Sequence, residues 1–251
     1  MNIESLKTYN IFNEELLSLA LLKNQGFNNI SYLLKTTTKS YVIRVFKSND
    51  SVNISRKFEY EIQKKAYKIN IALKPIFLNE EFMIYEYKKG IHKTKLSKIE
   101  LKNLVSKIKK FHNFKTTGKH YDLKQDLKNY SKALITQKSK KLINQCFKSI
   151  KILEKQKYEA VLTHHDLNPK NIIFSKNSLK IIDWEYAGVN DRFFDLASLC
   201  VEFKLNKNEE KIVLDSYFKT KKGFHKIKLK HYKIIYDNFC KLWFEANCQW
   251  F

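Results

Sequence analysis

Residues that interrupt regular secondary structure are scarce in this chain. Its 251 residues include only 5 glycines and 2 prolines. Hydrophobic residues make up 43% of the chain and aromatic residues 14%, which is typical of a globular protein and excludes a disordered one. A chain of this length can bury one good core or two small lobes.

Long apolar runs and cysteine motifs are missing as well. No apolar run approaches the roughly 18 residues of a membrane span, and the N-terminus has no apolar stretch followed by a cleavage site. The four cysteines show no spacing typical of a metal site or a redox pair, so we expect free and largely buried thiols. These absences predict a cytoplasmic protein without a membrane span.

Acidic residues and arginine are both outnumbered by lysine. The chain has 48 Lys and Arg against 25 Asp and Glu, a net charge of +23, and such a charge is a reason to consider nucleic-acid binding. The lysines are spread over nearly every predicted helix instead of forming one stripe, which disfavours that class. The three arginines (Arg44, Arg56, Arg192) are informative, because lysine cannot replace arginine's planar fork where two oxygens must be held.

The residues that carry chemistry lie between positions 164 and 195. The run HHDLNPKN at 164–171 contains Pro169, which biases Asn168 away from helix, so residues 163–170 should form a loop. Two short runs rich in Ile and Phe follow, at 171–174 and 179–182, with a polar segment between them. This pattern predicts a β-hairpin.

Three polar side chains flank this hairpin. Asp166, Asn171 and Asp183 have the order and spacing that a kinase-like phosphotransferase needs for a base and two metal ligands. Magnesium prefers oxygen ligands shared between protein carboxylates and substrate phosphates, and Asn171 and Asp183 supply such oxygens. Asp166 is then free to accept a proton from a substrate hydroxyl.

A family resemblance rests on the same stretch. The run IDWEYAGVND, followed by FDLA and a glutamate, resembles the corresponding run of the aminoglycoside phosphotransferase and choline kinase superfamily, and most of all that of bacterial choline kinases. The resemblance extends over most of the chain and weakens at 115–160 and after 205. It implies an α+β, bilobal, protein-kinase-like fold, with a nucleotide-binding N-terminal lobe at 1–87 and a larger, mostly helical lobe at 88–251. It also implies ATP and Mg²⁺ as cofactors.

The resemblance further implies a nucleotide site in the N-terminal lobe. The family's phosphate-covering loop is usually rich in glycine, and here Gly26 remains, with Asn28 where a threonine is expected. Arg44 falls on the strand position that contacts the nucleotide phosphates. Glu59 matches the family's Arg-x-x-Glu, which orients that strand cation, and Glu61 is the alternative if the register differs by two. The remaining nucleotide-binding positions are the hinge residues, whose backbone would bind adenine: Glu86 and Tyr87.

For the acceptor, the family uses aromatic faces and carboxylates around a cationic amino alcohol. The matching residues here are Glu185, Tyr186, Glu202 and Trp243. The family's Trp-x-x-Trp is replaced at its first position by Cys240, so one wall is either missing or supplied by Trp250, and choline and ethanolamine both remain open. Asp191 and Asp195 are expected to add to the acidic wall.

The rest of the chain is predicted to be mainly helical after the first 90 residues. We expect helices at 13–24, 53–70, 97–114, 122–155, 195–203, 209–218 and 225–251, and strands at 31–35, 40–46, 75–78 and 81–87. His112 is interpreted as a core histidine rather than a ligand. The alternatives to an amino-alcohol kinase are a sugar, aminoglycoside or thiamine phosphotransferase and, from another class, a basic nucleic-acid-binding protein.

Overall fold

The protein was analysed as a computed structural model, which describes residues 1–23, 25–26, 28–47, 54–115, 118–176, 178–220 and 222–248. The chain divides into two compact units. The first unit comprises Met1–His92 and Lys170–Tyr186, and the second comprises Lys93–Pro169 and Ala187–Phe251.

The first unit is built on a five-stranded antiparallel sheet of order β1-β2-β3-β5-β4. Its strands are β1 (Leu16–Leu21), β2 (Asn29–Thr36), β3 (Ser40–Phe46), β4 (Pro75–Leu78) and β5 (Phe82–Glu86), and its helices are α1 (Ile3–Lys7) and α2 (Arg56–Lys68). Buried apolar residues from several strands, including Leu34, Ile43 and Phe82, form its core.

A β-hairpin from later in the chain completes this unit. Strands β7 (Ile172–Ser175) and β8 (Ser178–Ile181) pair antiparallel, as the sequence predicts. The backbone N–H of Ile181 donates to the carbonyl of Ile71, and residues 91 and 174 form a β-bridge. Residues 170–186 therefore group with the first unit, although the single predicted boundary after residue 87 places them in the other domain.

The second unit is mainly helical. Its helices are α3 (Lys98–His112), α4 (Leu123–Ala133), α5 (Gln137–Leu153), α6 (Arg192–Glu202), α7 (Lys207–Tyr217) and α8 (Gly223–Cys248). Strands β6 (Ala160–Thr163) and β9 (Gly188–Asp191) pair antiparallel. A 3₁₀ turn spans Pro169–Asn171, where this segment of the second unit ends in the sequence and residues 170–186 of the first unit begin. Helix α8 packs against α5 and α6, and α3 packs against α7. None of the helices in the described part of the chain has the length and apolarity needed to cross a bilayer.

The α+β class is confirmed, but the helix predicted at 13–24 is wrong. These residues include β1, which pairs with β2 at the edge of the sheet and buries Leu16 while Leu17 is 55% exposed. A short leucine-rich run fits both the helical and the strand periodicity, and here pairing with a neighbouring strand overrides the helix propensity of the run. Glu14 accepts hydrogen bonds from the N–H and hydroxyl of Thr38 in the β2–β3 turn.

The single helical stretch predicted at 122–155 is also wrong, because it is two helices. Leu134 takes an extended conformation after α4, and Thr136 begins α5 as its N-cap, with its hydroxyl accepting from the N–H of Ser139 at 3.0 Å. Threonine at an N-cap satisfies a donor that the new helix leaves free. The break therefore has a local signal that the apolar periodicity hides.

Candidate active site

The loop that carries Asp166 is held by helix α6 of the same unit. The buried carboxylate of Asp195 accepts the backbone N–H of His164 at 2.8 Å and that of His165 at 2.9 Å. One turn further along the helix, the hydroxyl of Ser198 accepts the N–H of Leu167 at 3.1 Å. Three backbone donors of the loop are thus bound to two α6 side chains. Ser198 was not predicted, and its signal is the spacing of three residues from Asp195, which places both on one helix face.

Asp166 itself is half-buried and has a defined partner. The side-chain amide of Asn168 donates to Asp166 Oδ1 at 2.8 Å, and the N–H of Asp166 donates to His164 Nδ1 at 3.3 Å. A carboxylate fixed in this way keeps a constant orientation within the loop. The sequence singled out Asp166 as the base but missed Asn168, two residues away.

His165 occupies a strained position beside Asp166. Its φ is 70°, in the left-handed region that non-glycine residues seldom adopt. The ring is stacked between Tyr121 and Phe194, with centroids 3.7 Å and 4.3 Å away, and its Nε2 accepts from the amide of Asn190 at 3.2 Å. Burial of the ring lowers the pKa of His165 to about 3, so this histidine is neutral at physiological pH.

The predicted structural role of His112 is confirmed. The ring is buried, its Nε2 donates to Asp195 at 3.0 Å, and its Nδ1 accepts from the hydroxyl of Tyr217 at 2.7 Å. Burial would raise the pKa of Asp195, but the hydrogen bond from His112 outweighs burial and holds that pKa below its ordinary value. Asp195 is therefore an anion that links α3 and α6 to the loop.

In the first unit, the predicted pair of Arg44 and Glu59 is present. Arg44 Nη2 lies 2.5 Å from Glu59 Oε1, and both side chains are buried. Glu61, the alternative partner, is exposed. Burial would lower the pKa of Arg44, but Glu59, Asp183 and Glu185 raise it above its ordinary value, so the guanidinium is a permanent cation.

Arg44 also binds Asp183, a predicted metal ligand. Arg44 Nη1 lies 2.8 Å from Asp183 Oδ1, and the Asp183 side chain remains 30% exposed. The φ of Asp183 is 64°, a left-handed conformation that Asp tolerates better than most residues. The other predicted ligand, Asn171, is buried, and its carbonyl accepts the N–H of Ile182 at 2.9 Å, which pairs its backbone with the residue before Asp183.

These two residues fit a magnesium ion that is shared with substrate phosphates. Such sites use one or two carboxylates and leave the remaining positions to phosphate and water oxygens. Among the described residues, no group of three or more His, Cys, Asp and Glu side chains could hold a metal alone. Asp183 and Asn171 offer one carboxylate and one amide oxygen, which is the donor chemistry of a shared site.

The predicted acceptor residue Glu185 lies beside Arg56 in the first unit. Its Oε2 is 2.9 Å from Arg56 Nη1 and accepts from Asn29 at 3.0 Å. The amide of Asn28 donates to Glu185 Oε1 at 3.0 Å and to the hydroxyl of Tyr186 at 2.8 Å. Three predicted site residues, Asn28, Glu185 and Tyr186, are therefore brought together. Their roles in binding nucleotide or acceptor stay predictions.

The remaining nucleotide-site residues are less closely linked. Gly26 is exposed, with its carbonyl 3.3 Å from Lys47 Nζ. The N–H groups of Glu86 and Tyr87 donate to the backbone carbonyls of Lys74 and Ser40. These two N–H groups are therefore already bound within the unit and are not free for adenine. Binding of adenine there stays a prediction.

The second unit holds the other two predicted acceptor residues. The Tyr236 hydroxyl donates to Glu202 Oε1 at 3.0 Å. Tyr236, Cys240 and Trp243 are spaced four and three residues apart on α8 and so share one helix face. Burial raises the pKa of the Cys240 thiol to about 12, so Cys240 presents a small, uncharged side chain on this face. Trp250, the proposed substitute wall, lies outside the described residues.

The acidic wall expected from Asp191 and Asp195 is wrong. Both carboxylates are fully buried and bound within the second unit. Asp191 pairs with the buried ammonium of Lys228 at 2.7 Å and caps α6 through the N–H of Phe193 at 3.0 Å. Buried carboxylates need such partners, and these two are therefore structural groups instead of ligands for a cation.

Comparison with known proteins agrees with this geometry. Residues 23–226 match the model of the phosphotransferase enzyme family (APH). The chain belongs to this family. It is therefore a phosphotransferase, as the sequence predicts.

Individual relatives show which members of this family the chain resembles. The chain is 28% identical over 225 residues to a LicA homolog of Mycoplasma capricolum subsp. capricolum, covering 89% of this chain and 88% of that protein. The crystal structure of the choline kinase LicA from Streptococcus pneumoniae is 25% identical, with a TM-score of 0.81 over 98% of this chain and 91% of that one. A LicA structure in complex with AMP is 26% identical, with a TM-score of 0.79 over 98% and 90% of the two chains. The predicted kinase-like fold is confirmed.

Proposed function

We propose that this protein transfers the γ-phosphoryl group of ATP to the hydroxyl of a small amino alcohol, choline or ethanolamine. The observation that carries the proposal is the orientation of Asp166. Its loop is bound to α6 by Asp195 and Ser198, and its carboxylate is bound by Asn168. The similarity to LicA choline kinases supports the choice of acceptor.

In the proposed reaction, Asp166 accepts the proton of the acceptor hydroxyl. The hydroxyl oxygen forms a bond to the γ-phosphorus, the bond from that phosphorus to the β–γ bridging oxygen breaks, and ADP leaves with the electron pair. Asp183 and Asn171 would hold Mg²⁺, which neutralises charge on the phosphates when bound. Arg44, fixed by Glu59, keeps Asp183 in place.

The acceptor is proposed to lie against Glu202 and the aromatic face of α8. A net charge of +23 does not oppose this, because salt screens charges beyond about 8–10 Å and local groups decide. Glu202 supplies a carboxylate, and Tyr236 and Trp243 supply aromatic rings. A cation–π contact shielded from water is worth about 2 kcal/mol, which is roughly thirtyfold in affinity.

The proposal is tested by a kinase assay with choline, ethanolamine, thiamine and a neutral sugar. We expect transfer to an amino alcohol, and we expect Trp243→Ala and Glu202→Gln each to raise the acceptor's KM, by up to about thirtyfold, with little effect on that of ATP. The matched controls are Phe244→Ala, the exposed neighbour of Trp243, and Glu61→Gln, an exposed glutamate of the first unit.

The preference of the enzyme for choline or ethanolamine shows whether Cys240 leaves a gap in the aromatic wall. Choline should be the better acceptor if the aromatic wall is complete, and ethanolamine if Cys240 leaves it open. Phosphorylation of the sugar alone, with no response to Trp243→Ala or Glu202→Gln, would reject the amino-alcohol acceptor.

A further inference from the structure

Arg56, at the start of α2, has no role in the reaction as described so far. We infer that Arg56 is a positioning residue for Asp183: it holds the two carboxylates that fix Arg44, and Arg44 in turn holds Asp183. This inference rests on the proposed role of Asp183 in binding Mg-ATP. It does not depend on which acceptor the enzyme uses.

The geometry is a closed ring of buried ion pairs inside the first unit. Arg56 Nη1 lies 3.3 Å from Glu59 Oε2 and 2.9 Å from Glu185 Oε2. The same two carboxylates lie 2.5 Å and 3.5 Å from Arg44 Nη2. Each guanidinium therefore contacts both glutamates. The other terminal nitrogen of Arg44, Nη1, contacts Asp183.

Arg56 makes these contacts through a single nitrogen. Its Nε and Nη2 are buried and have no hydrogen-bond acceptor in the part of the chain that the structure describes. The guanidinium instead lies over the ring of Phe46, 4.1 Å from the centroid. The side chain is thus fixed by the face of one aromatic ring and by two carboxylates that both contact Nη1. Because only one nitrogen is used, the positive charge of Arg56 matters more than the planar geometry of its guanidinium group.

Charge balance explains why the second arginine matters. Two guanidinium groups face three carboxylates, those of Glu59, Glu185 and Asp183. Without Arg56, both glutamates would have Arg44 as their cation among the described residues and would compete with Asp183 for it. Asp183 also has a left-handed backbone, which persists only where its surroundings hold it. Loss of Arg56 should therefore release Asp183 from its present orientation.

The test uses three substitutions and one control. Arg56→Lys keeps a cation, Arg56→Gln keeps only an N–H donor, and Arg56→Met keeps only an apolar stem on Phe46. The control is Lys57→Gln, the exposed neighbour on the same helix. Mg-ATP affinity is measured by isothermal titration calorimetry, and the KM values of Mg²⁺ and acceptor by steady-state assay.

We expect the Gln and Met variants to weaken Mg-ATP binding about 10- to 100-fold, the usual effect of losing a group that orients a metal ligand. The Lys variant should lie between them and the wild type, and the acceptor's KM should not change. If the Arg56→Met variant bound Mg-ATP as tightly as the Arg56→Lys variant, Arg56 would have only a packing role and the inference would fail. Wild-type affinity in the Gln variant would overturn the inference outright. If Met does not fold, the comparison of Lys with Gln decides.

A double-mutant cycle with Glu185→Gln tests the route through the ring. If Arg56 acts through Glu185, the double variant should lose less affinity than the two single variants predict together, because coupled residues are not additive. Additive losses would contradict the inference. An enzyme that binds Mg-ATP but phosphorylates no amino alcohol would reject the proposed acceptor and leave this test intact.

Discussion

In the first unit, Asp183 is held by a permanent cation, whereas in the second unit the loop that carries Asp166 is held by a buried carboxylate and a hydroxyl. The ring around Arg44 contains ion pairs between arginine and carboxylate. The loop around Asp166 is fixed by backbone N–H groups, an amide and a hydroxyl, with Asp195 as its buried anion. A metal ligand benefits from staying ionised, which a neighbouring cation favours.

The largest effect should come from Asp166→Asn. The amide cannot accept the proton, and general base catalysis typically contributes about 100- to 10,000-fold. We expect kcat to fall by that factor. The control is Asp215→Asn on the surface of α7. A variant that keeps more than about a tenth of the wild-type turnover, far above the loss expected for a base, would remove Asp166 from this role.

Asp195→Asn should mainly reduce stability. The substitution turns a carboxylate that accepts two backbone N–H groups and His112 into an amide that must offer one of them an N–H. Each buried donor left without an acceptor costs about 1–3 kcal/mol. Urea unfolding should show this loss in the free energy of unfolding. Unchanged stability would mean that Asp195 does not hold the loop.

A smaller effect, on pH dependence, is expected at His165. Its pKa is about 3 in the folded protein and about 6.5 in an unfolded chain. Between these values the unfolded state binds more protons, so this residue makes the folded protein less stable as the pH falls from about 6.5 towards 3. His165→Asn removes the titration and tolerates the left-handed φ, and should flatten the stability profile over that range.

The control for this substitution is His120→Asn at an exposed position. If the free energy of unfolding of the His165 variant depended on pH as steeply as that of the wild type, the stacked ring would not be the group that links stability to pH. A flattened slope in the His120 variant would weaken the assignment in the same way.

Much of this arrangement follows from local sequence. The hairpin and the loop at 163–170 were predicted because turn residues and short apolar runs are local signals, whereas the Arg44–Glu59 pair was predicted from the family resemblance. The β1 strand was missed because its pairing with β2 is not local. The burial of Asp191 was missed because its partner, Lys228, lies 37 residues away on a lysine-rich helix where no single lysine stands out.

The site shows the same limit. Asp166 could be predicted from its motif. The spacing of Ser198 from Asp195 places both on one helix face, but only the folded backbone shows that Ser198 and Asn168 contact the loop. The positioning role that we infer for Arg56 depends likewise on Glu185, 129 residues away. Residue spacing identifies reacting groups more readily than it identifies the groups that hold them.

We propose that the two units hold different parts of the reaction: Asp183 serves Mg-ATP binding and Asp166 serves proton removal. The most direct measurement compares the Mg-ATP dissociation constants of Asp183→Ala and Asp166→Asn by calorimetry. We expect Asp183→Ala to weaken binding at least about tenfold, roughly 1.4 kcal/mol, and Asp166→Asn to bind as the wild type does. Wild-type affinity in Asp183→Ala, or equal losses in both variants, would contradict the claim.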